Sequence, residues 1–454
     1  MTGIMNNAGD YQLAFQVADI TSAAMKNAIK DWYELYYLQA PTNDSDPCQQ
    51  IPHTIVRKLT KTTFSEYSAT SKDAFAAQIL DALRKTSGEA MQQALIGGTS
   101  FLKPVPMGDC FGFLTVPRNN LLIFGRDAWG DPTDIGTAEV TVHGKHYYTL
   151  LERRTVDARG YLTIKCTLYR SYDGSNLGQQ VSLSALPQYA DLPEVYTFPQ
   201  PIGSVGLVPV RVPIENCVDG GKDAVSVYAA AAGLIHNINK NEAQLNGEFE
   251  RGESRIVVDS DMLKTDKDGR KTFNDHVFVG VEGNGVDSAG VTIFSPALRV
   301  DAFETRKQSY LRSAENIIGL KRGLLSEVEA VERTAKEITS SEGDYSLTIT
   351  DFQKMWERAV RETMRVCGIF GQMYRIPGAH EVTEDQVIIS WGNGVLFDEE
   401  GTRLRMLSET QAGLLQPERY LGFTYKLPCD TPAQRARIRK DYMPEVTGEP
   451  EEDI

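Results

Sequence analysis

Apolar residues recur at three- and four-residue steps from about Thr21 to Leu38, placing Met25, Ile29, Trp32, Leu35 and Tyr36 on one side of a helical wheel. The spacing predicts an amphipathic helix, followed by a surface loop over the turn-forming Pro41-Thr-Asn-Asp-Ser-Asp-Pro47. Similar patterns predict helices over Ile55 to Ser65 and Lys72 to Leu95, the second ending at Gly97-Gly98, where the chain can turn left-handed. From about Leu121 to Thr197 the period falls to two. In Tyr161 to Tyr169, Leu162, Ile164, Cys166 and Leu168 alternate with polar residues and Tyr, which predicts a half-buried strand. Lys145 to Arg153 reaches it through Asp157-Ala-Arg-Gly160, so an antiparallel hairpin or meander is expected.

The helical period returns from Asp223 to about Arg251, with Tyr228, Ile235, Ile238, Leu245 and Phe249 on one stripe. At the helical rise this segment would reach about 40 Å. A mixed strand-and-turn stretch follows, from Arg255 through Asp266-Lys-Asp268-Gly269 to Phe294. A second helix is predicted over Asp301 to Ile318, with Phe303, Tyr310 and Ile317 along one face and Asp301 and Glu304 spaced as a capping box. Leu320 to Glu327 interrupts the pattern, which resumes at Val328 and breaks again near Ser340 to Asp344. A further helix is predicted over Thr348 to Met373, then a strand over Gln386 to Trp391. Short helices at Glu399 to Ala412, Pro417 to Tyr425 and Thr431 to Tyr442 lead into the acidic Glu445 to Asp453. The fold class expected is α+β.

Composition narrows the function. A chain of 454 residues exceeds what one hydrophobic core organises, and 41% apolar with 24% charged residues is the balance of a folded protein. No apolar run approaches the ~18 residues of a membrane-spanning helix, and the first residues lack the basic flank of a signal peptide, so a protein acting in solution inside a cell is expected. The six cysteines are scattered, which signals neither a disulfide framework nor a zinc site. A net charge of −14 weighs against tight binding to DNA phosphates.

Motifs for chemistry fail on their spacing. Asp266-Lys-Asp268-Gly269 imitates part of a calcium loop, but Lys264 stands where its first ligand should be and Asp275 where its bidentate Glu should be. His143-Gly-Lys-His146 has no third ligand at useful spacing, and the glycine-rich Glu282 to Gly290 lacks Gly-Lys-Ser/Thr. No nucleophile elbow or His-Glu-x-x-His is present, so an enzyme is not expected, nor any cofactor or metal.

The order of segments, with the runs Ile29-Lys-Asp-Trp-Tyr-Glu-Leu-Tyr36, Ala94-Leu-Ile-Gly-Gly98, Lys103-Pro104, Tyr147-Tyr-Thr-Leu-Leu-Glu152 and Glu332-Arg-Thr-Ala-Lys-Glu-Ile338, resembles the portal proteins of long-tailed bacteriophages of Gram-positive hosts. The chain departs from that family in being short after Trp391 and in starting its first long helix with Asp219-Gly-Gly-Lys-Asp223.

The resemblance implies a helix and antiparallel-sheet wing (1–222), a stem of two helices (223–253 and 301–319) and a small clip (254–300). A channel loop (320–330), a long kinked helix (331–376), a wing strand region (377–396) and a short helical crown with acidic tail (397–454) complete it. It further implies a ring of about twelve copies at one capsid vertex, assembled in the host cytoplasm and carried in the virion. Double-stranded DNA would pass through it without sequence recognition. The other partners implied are the large terminase subunit, a head-tail adaptor, and the major capsid and scaffolding proteins, with no membrane.

The site residues expected on this basis fall in four groups. Lys321, Arg322, Gly323, Leu324, Leu325, Ser326 and Glu327 would form a mobile loop facing DNA. Ser341 and Gly343 would mark the helix kink. Lys264, Asp266, Asp268, Gly269, Arg270 and Lys271 would form the docking tip. Tyr228, Ile235, Ile238, Tyr310 and Ile317 would pack between subunits. The alternative is another phage virion or connector protein that forms no DNA pore.

Overall fold

The computed structural model describes residues 8–37, 47–174, 176–252, 255–258, 264–265, 271–272, 291–294, 297–327, 335–391, 399–425, 427–429 and 431–443. The chain divides into two units, Met1–Lys61 with Thr70–Ile388, and Thr62–Ala69 with Ile389–Ile454. It is a mixed helical and antiparallel-sheet protein, as expected.

The larger unit opens with α1 (Ala8–Phe15), α2 (Ala23–Tyr37) and α3 (Ile51–Thr63), and the short strand β1 (Ser68–Ser71) leads into α4 (Ala74–Gly97). Helix α2 buries the stripe read from its sequence, Met25, Ile29, Trp32 and Leu35, and adds Tyr33. Helix α4 begins where Asp73 accepts a hydrogen bond from the Ala76 N–H at 2.8 Å, a side-chain cap for a donor with no helical partner. It ends at Gly98, whose φ is +81°. A Cβ there would lie 2.3 Å from the Ala224 carbonyl oxygen, so only glycine permits both the turn and that close approach.

Strands β2 (Thr99–Met107) and β3 (Cys110–Pro117) follow, and β2 is central in a sheet ordered β10-β2-β3, where β10 is Val208–Arg211. The periodicity of the sequence does not announce this sheet, because Pro104 and Pro106 argue against a central strand. The register resolves the conflict. Strand β10 pairs only with Thr99 to Leu102, so both prolines lie where β2 has a partner on one side only.

The second sheet runs β4 (Leu121–Arg126), β5 (Pro132–His143), β6 (His146–Val156), β7 (Tyr161–Ser171) and β8 (Gln179–Val181), with β9 (Val195–Pro201) also on β7. The expected meander is present, with Asp157 to Gly160 as the β6–β7 turn. Strand β4 is apolar on both faces because both are covered. Leu121 and Ile123 join Phe101, Val116 and Ile135, whereas Leu122 and Phe124 join Phe15, Ala138 and Leu151.

Helix α5 (Ala232–Arg251) is followed by β11 (Arg255–Val258), β12 (Lys264–Thr265), β13 (Lys271–Thr272) and β14 (Val291–Phe294), then α6 (Val300–Ile318), α7 (Ala335–Met373) and β15 (Val387–Ser390). Strands β1 and β15 pair with each other.

Two expectations about these helices are corrected. The break near Ser340 to Asp344 is absent: α7 is helical without interruption through Ser341 and Gly343. A glycine inside a helix costs only about 1 kcal/mol, and the burial of Ile349, Phe352, Trp356 and Val360 further along the same helix outweighs it. The capping box at Asp301 and Glu304 is also absent. The N-cap of α6 is Arg299, with no side-chain cap, and Glu304 accepts from Gln308 Nε2 at 2.9 Å instead.

The smaller unit holds α8 (Glu399–Gln411), α9 (Pro417–Thr424) and α10 (Pro432–Tyr442), close to the three spans predicted. Phe64, Tyr67 and Trp391 form its aromatic cluster, with the Tyr67 and Trp391 centroids 4.7 Å apart. Helix α10 starts on a capping box of Thr431 and Gln434, with Pro432 in the first turn. Acidic residues 445–453 lie outside the described residues.

Candidate functional site

Helices α5 and α6 run antiparallel, tied by polar contacts along their length. Asn241 Nδ2 donates to the Phe303 carbonyl at 3.0 Å, Lys307 pairs with Glu242 at 3.1 Å, and Arg299 holds both oxygens of Glu248 at 2.9 and 2.8 Å. The Arg299 hydrogen bonds hold the Glu248 carboxyl below its ordinary pKa. Because Glu248 and Arg299 close the same end of the pair, the chain from 252 to 298 leaves and returns there. That excursion contains two antiparallel ladders, β11 with β14 and, inside it in sequence, β12 with β13. Lys264 pairs with Thr272, and Lys271 with Thr265, so these two docking-tip candidates stand on facing strands. Asp266, Asp268, Gly269 and Arg270 lie outside the described residues.

Helix α5 starts nine residues later than the Asp223 predicted, and tertiary bonds explain why. Ser226 Oγ and the Val227 N–H both donate to the Leu95 carbonyl at 3.0 Å, and Tyr228 OH donates to the Trp32 carbonyl at 2.8 Å. Residues 226–228 are thus held on α4 and α2 in a non-helical course, and a single 3-10 turn, Ala229–Ala231, connects them to α5. Asp223 instead receives the guanidinium groups of Arg118 and Arg126.

The opposite end of the pair carries the segment expected to face DNA. Gly319 closes α6 at φ +75°, and the Leu320 N–H returns to the Glu315 carbonyl at 2.8 Å. The following turn is anchored by one carboxylate. Glu315, only 2% exposed, accepts from the N–H groups of Gly323 (3.2 Å), Leu325 and Ser326 (2.9 Å), and from Ser326 Oγ at 2.7 Å. Gln308 Oε1 accepts from the Glu327 N–H at 2.9 Å, and Lys58 donates to the Leu324 carbonyl. Lys321 and Arg322 are exposed, Leu324 and Leu325 half-buried. The loop expected to be mobile is therefore, over 320–327, a turn fastened to α6 and α3. Residues 328–330 lie outside the described residues. A signal for this anchor exists in the sequence: Glu315 sits on the apolar stripe Leu311, Ala314, Ile318, where a carboxylate demands donors.

The subunit-contact expectation is corrected for three of its five residues. Tyr228, Ile235 and Ile238 are at most 1% exposed within one chain, so they already have their partners and offer no surface to a neighbour. The chain itself covers the apolar stripe of α5 at Ile235 and Ile238, whereas Phe249 near its C-terminal end is 47% exposed. Tyr310 is half-buried under Arg306, whose guanidinium carbon lies 5.4 Å from the ring centre. Ile317 alone of the five remains well exposed, at 48%.

Elsewhere, charge is used for structure. Glu152 on β6 is 7% exposed and bonds Arg154 and Lys103. Burial opposes its ionisation, but the two cations and their hydrogen bonds win and hold its pKa at about 2. Cys166 is pushed up to about 11 by burial and by the Glu152 charge, which leaves it an unreactive thiol. His143 and His146 flank the tight β5–β6 turn, and no group of three metal-ligating side chains occurs among the described residues. No described helix is long and apolar enough to cross a membrane. Comparison with family models and with curated proteins finds no match to this chain.

Proposed function

We propose that this chain is the subunit of a closed ring that conducts double-stranded DNA through a virion vertex, a portal protein rather than an enzyme. The observation that carries the reading is the antiparallel pair α5–α6, with a hairpin excursion at one end and a short basic turn, Lys321-Arg322, anchored at the other. A pair of this kind suits a channel wall: the excursion offers a docking surface for the packaging motor and the adaptor, and the turn offers cations for phosphate contact. The sequence resemblance to phage portals supports the same assignment. A ring of about twelve copies is the assembly this reading requires.

One observation favours the second reading, a virion component without a pore. Burial of Tyr228, Ile235 and Ile238 inside the chain removes three of the five contacts expected to close a ring. The mass of the purified particle decides between them. A closed ring has about twelve times the 50.3 kDa chain mass and shows a central hole in negative stain. A folded protein that stays at 50.3 kDa at micromolar concentration overturns the portal reading.

A further inference from the structure

The chain as a whole is acidic, at −14, but residues 417–443 are not: six cations (Arg419, Lys426, Arg435, Arg437, Arg439, Lys440) face three acids (Glu418, Asp430, Asp441). Four of the cations fall on α10, and the fold sorts them. Ile438, 3% exposed, and the pair Arg439–Glu418 turn one side of α10 to α9, with Glu418 itself 2% exposed. Arg435 helps hold Glu418 ionised and donates to the Cys429 carbonyl at 3.2 Å. These contacts fix the helix. Arg437 and Lys440, three residues apart, then share an exposed face with Ala433; the Arg437 side chain is 84% exposed and meets Asp441 at 3.5 Å. Beside them Tyr442 stacks on Tyr425, centroids 5.6 Å apart, with the two residues 50% and 58% exposed.

We infer that this face of α10, with Arg437 and Lys440 at its centre and Arg439 and Tyr442 at its edge, binds the phosphodiester backbone of nucleic acid. Exposed cations on a rigid helix gain counterion-release free energy from closely spaced phosphates without reading bases. The face carries no large aliphatic side chain, so it has nothing to insert into an acyl layer and does not suit a membrane surface. That the natural ligand is duplex DNA rests on the portal reading; the polyanion chemistry does not.

The test uses the full-length chain and fluorescence anisotropy with a labelled mixed-sequence duplex, the corresponding single strand, and phosphatidylserine vesicles. The duplex should bind at about 50 mM salt and weaken steeply towards about 200 mM. The double variant R437Q/K440Q should melt as the parent does while its log–log salt slope falls by about two. The variant R84Q/K85Q, which removes two exposed cations of α4, should bind like the parent, which separates the α10 face from surface charge in general. Absence of duplex binding at about 50 mM salt, or binding unchanged in R437Q/K440Q, overturns the proposal. Binding to vesicles without binding to DNA overturns it as well. A single strand held more tightly than the duplex, and released by Y442A, overturns the duplex assignment in favour of base stacking. A particle that binds DNA but forms no ring refutes the portal reading alone; a ring that binds no DNA refutes only this inference.

Discussion

Two buried carboxylates, in the sheet and at the end of the helix pair, are neutralised in opposite ways. Glu152 lies between two cations, Arg154 two residues along its own strand β6 and Lys103 on β2 of the other sheet, and the Arg154 guanidinium also donates to the Val205 carbonyl at 3.1 Å. Glu315 accepts instead from neutral donors, three backbone N–H groups and one hydroxyl, all on one turn. The first arrangement links two sheets, each already hydrogen-bonded within itself, so the carboxylate ties one rigid framework to another. The second makes the conformation of a whole segment depend on one side chain. Charge pairing therefore ties the two sheets together, and neutral donation to Glu315 sets the shape of the turn that carries Lys321 and Arg322.

Removing the charge at Glu152 should have the largest effect. E152Q leaves Lys103 and Arg154 facing one another without a counter-charge, and breaking a buried pair costs about 3–5 kcal/mol; urea unfolding should show that loss with an unchanged slope. A stability loss under 1 kcal/mol would mean that water reaches the pair.

The pH dependence has the same origin and a definite sign. Glu152 titrates at about 2 in the folded protein, below its ordinary 4.5, so its contribution is complete above about 4.5 and disappears as pH falls towards 2. It amounts to on the order of 3 kcal/mol. E152Q should accordingly flatten the acid limb of a stability–pH curve.

E315Q should act more locally. One carboxylate oxygen becomes a donor, and donors left unsatisfied cost about 1–3 kcal/mol. Amide exchange at Gly323, Leu325 and Ser326 should accelerate, with new tryptic cleavage after Lys321 or Arg322, and the sheet amides should stay protected. Equal acceleration in the sheet would show that the turn and the sheet unfold together, and the contrast would fail. The smallest effect is expected from S326A, which deletes one hydroxyl donor at a cost of about 1 kcal/mol and should leave the three N–H bonds to Glu315 in place by the same exchange measurement.

Most helices were legible in the sequence because their signals are local. The stripe of α2, the Gly97-Gly98 end of α4 and the three short helices of the smaller unit need only a repeat and a terminator. The candidate site was legible in part. The helix pair and the excursion between them follow from periodicity, and Glu315 could have been found as an acid on an apolar stripe. What failed was non-local. Residues 226–228 continue a helical pattern, but hydrogen bonds to Leu95 and Trp32, more than a hundred residues away in the chain, hold them out of the helix. The expected break at Gly343 was overruled by burial further along α7.

By itself, the sequence determined the mixed α+β class, the amphipathic faces, the β6–β7 hairpin and the local excess of cations on α10. Only the tertiary structure decided what covers each face. Tyr228, Ile235 and Ile238 read as an apolar stripe awaiting a partner, and the chain itself supplied the cover. Pro104 and Pro106 cannot donate to a ladder on both sides, and the short reach of β10 leaves them on a stretch of β2 paired on one side only. The physical reason is common to both. Periodicity records that a face must leave water, since its free energy scales with apolar area, but that term has no direction and cannot specify which surface will meet it.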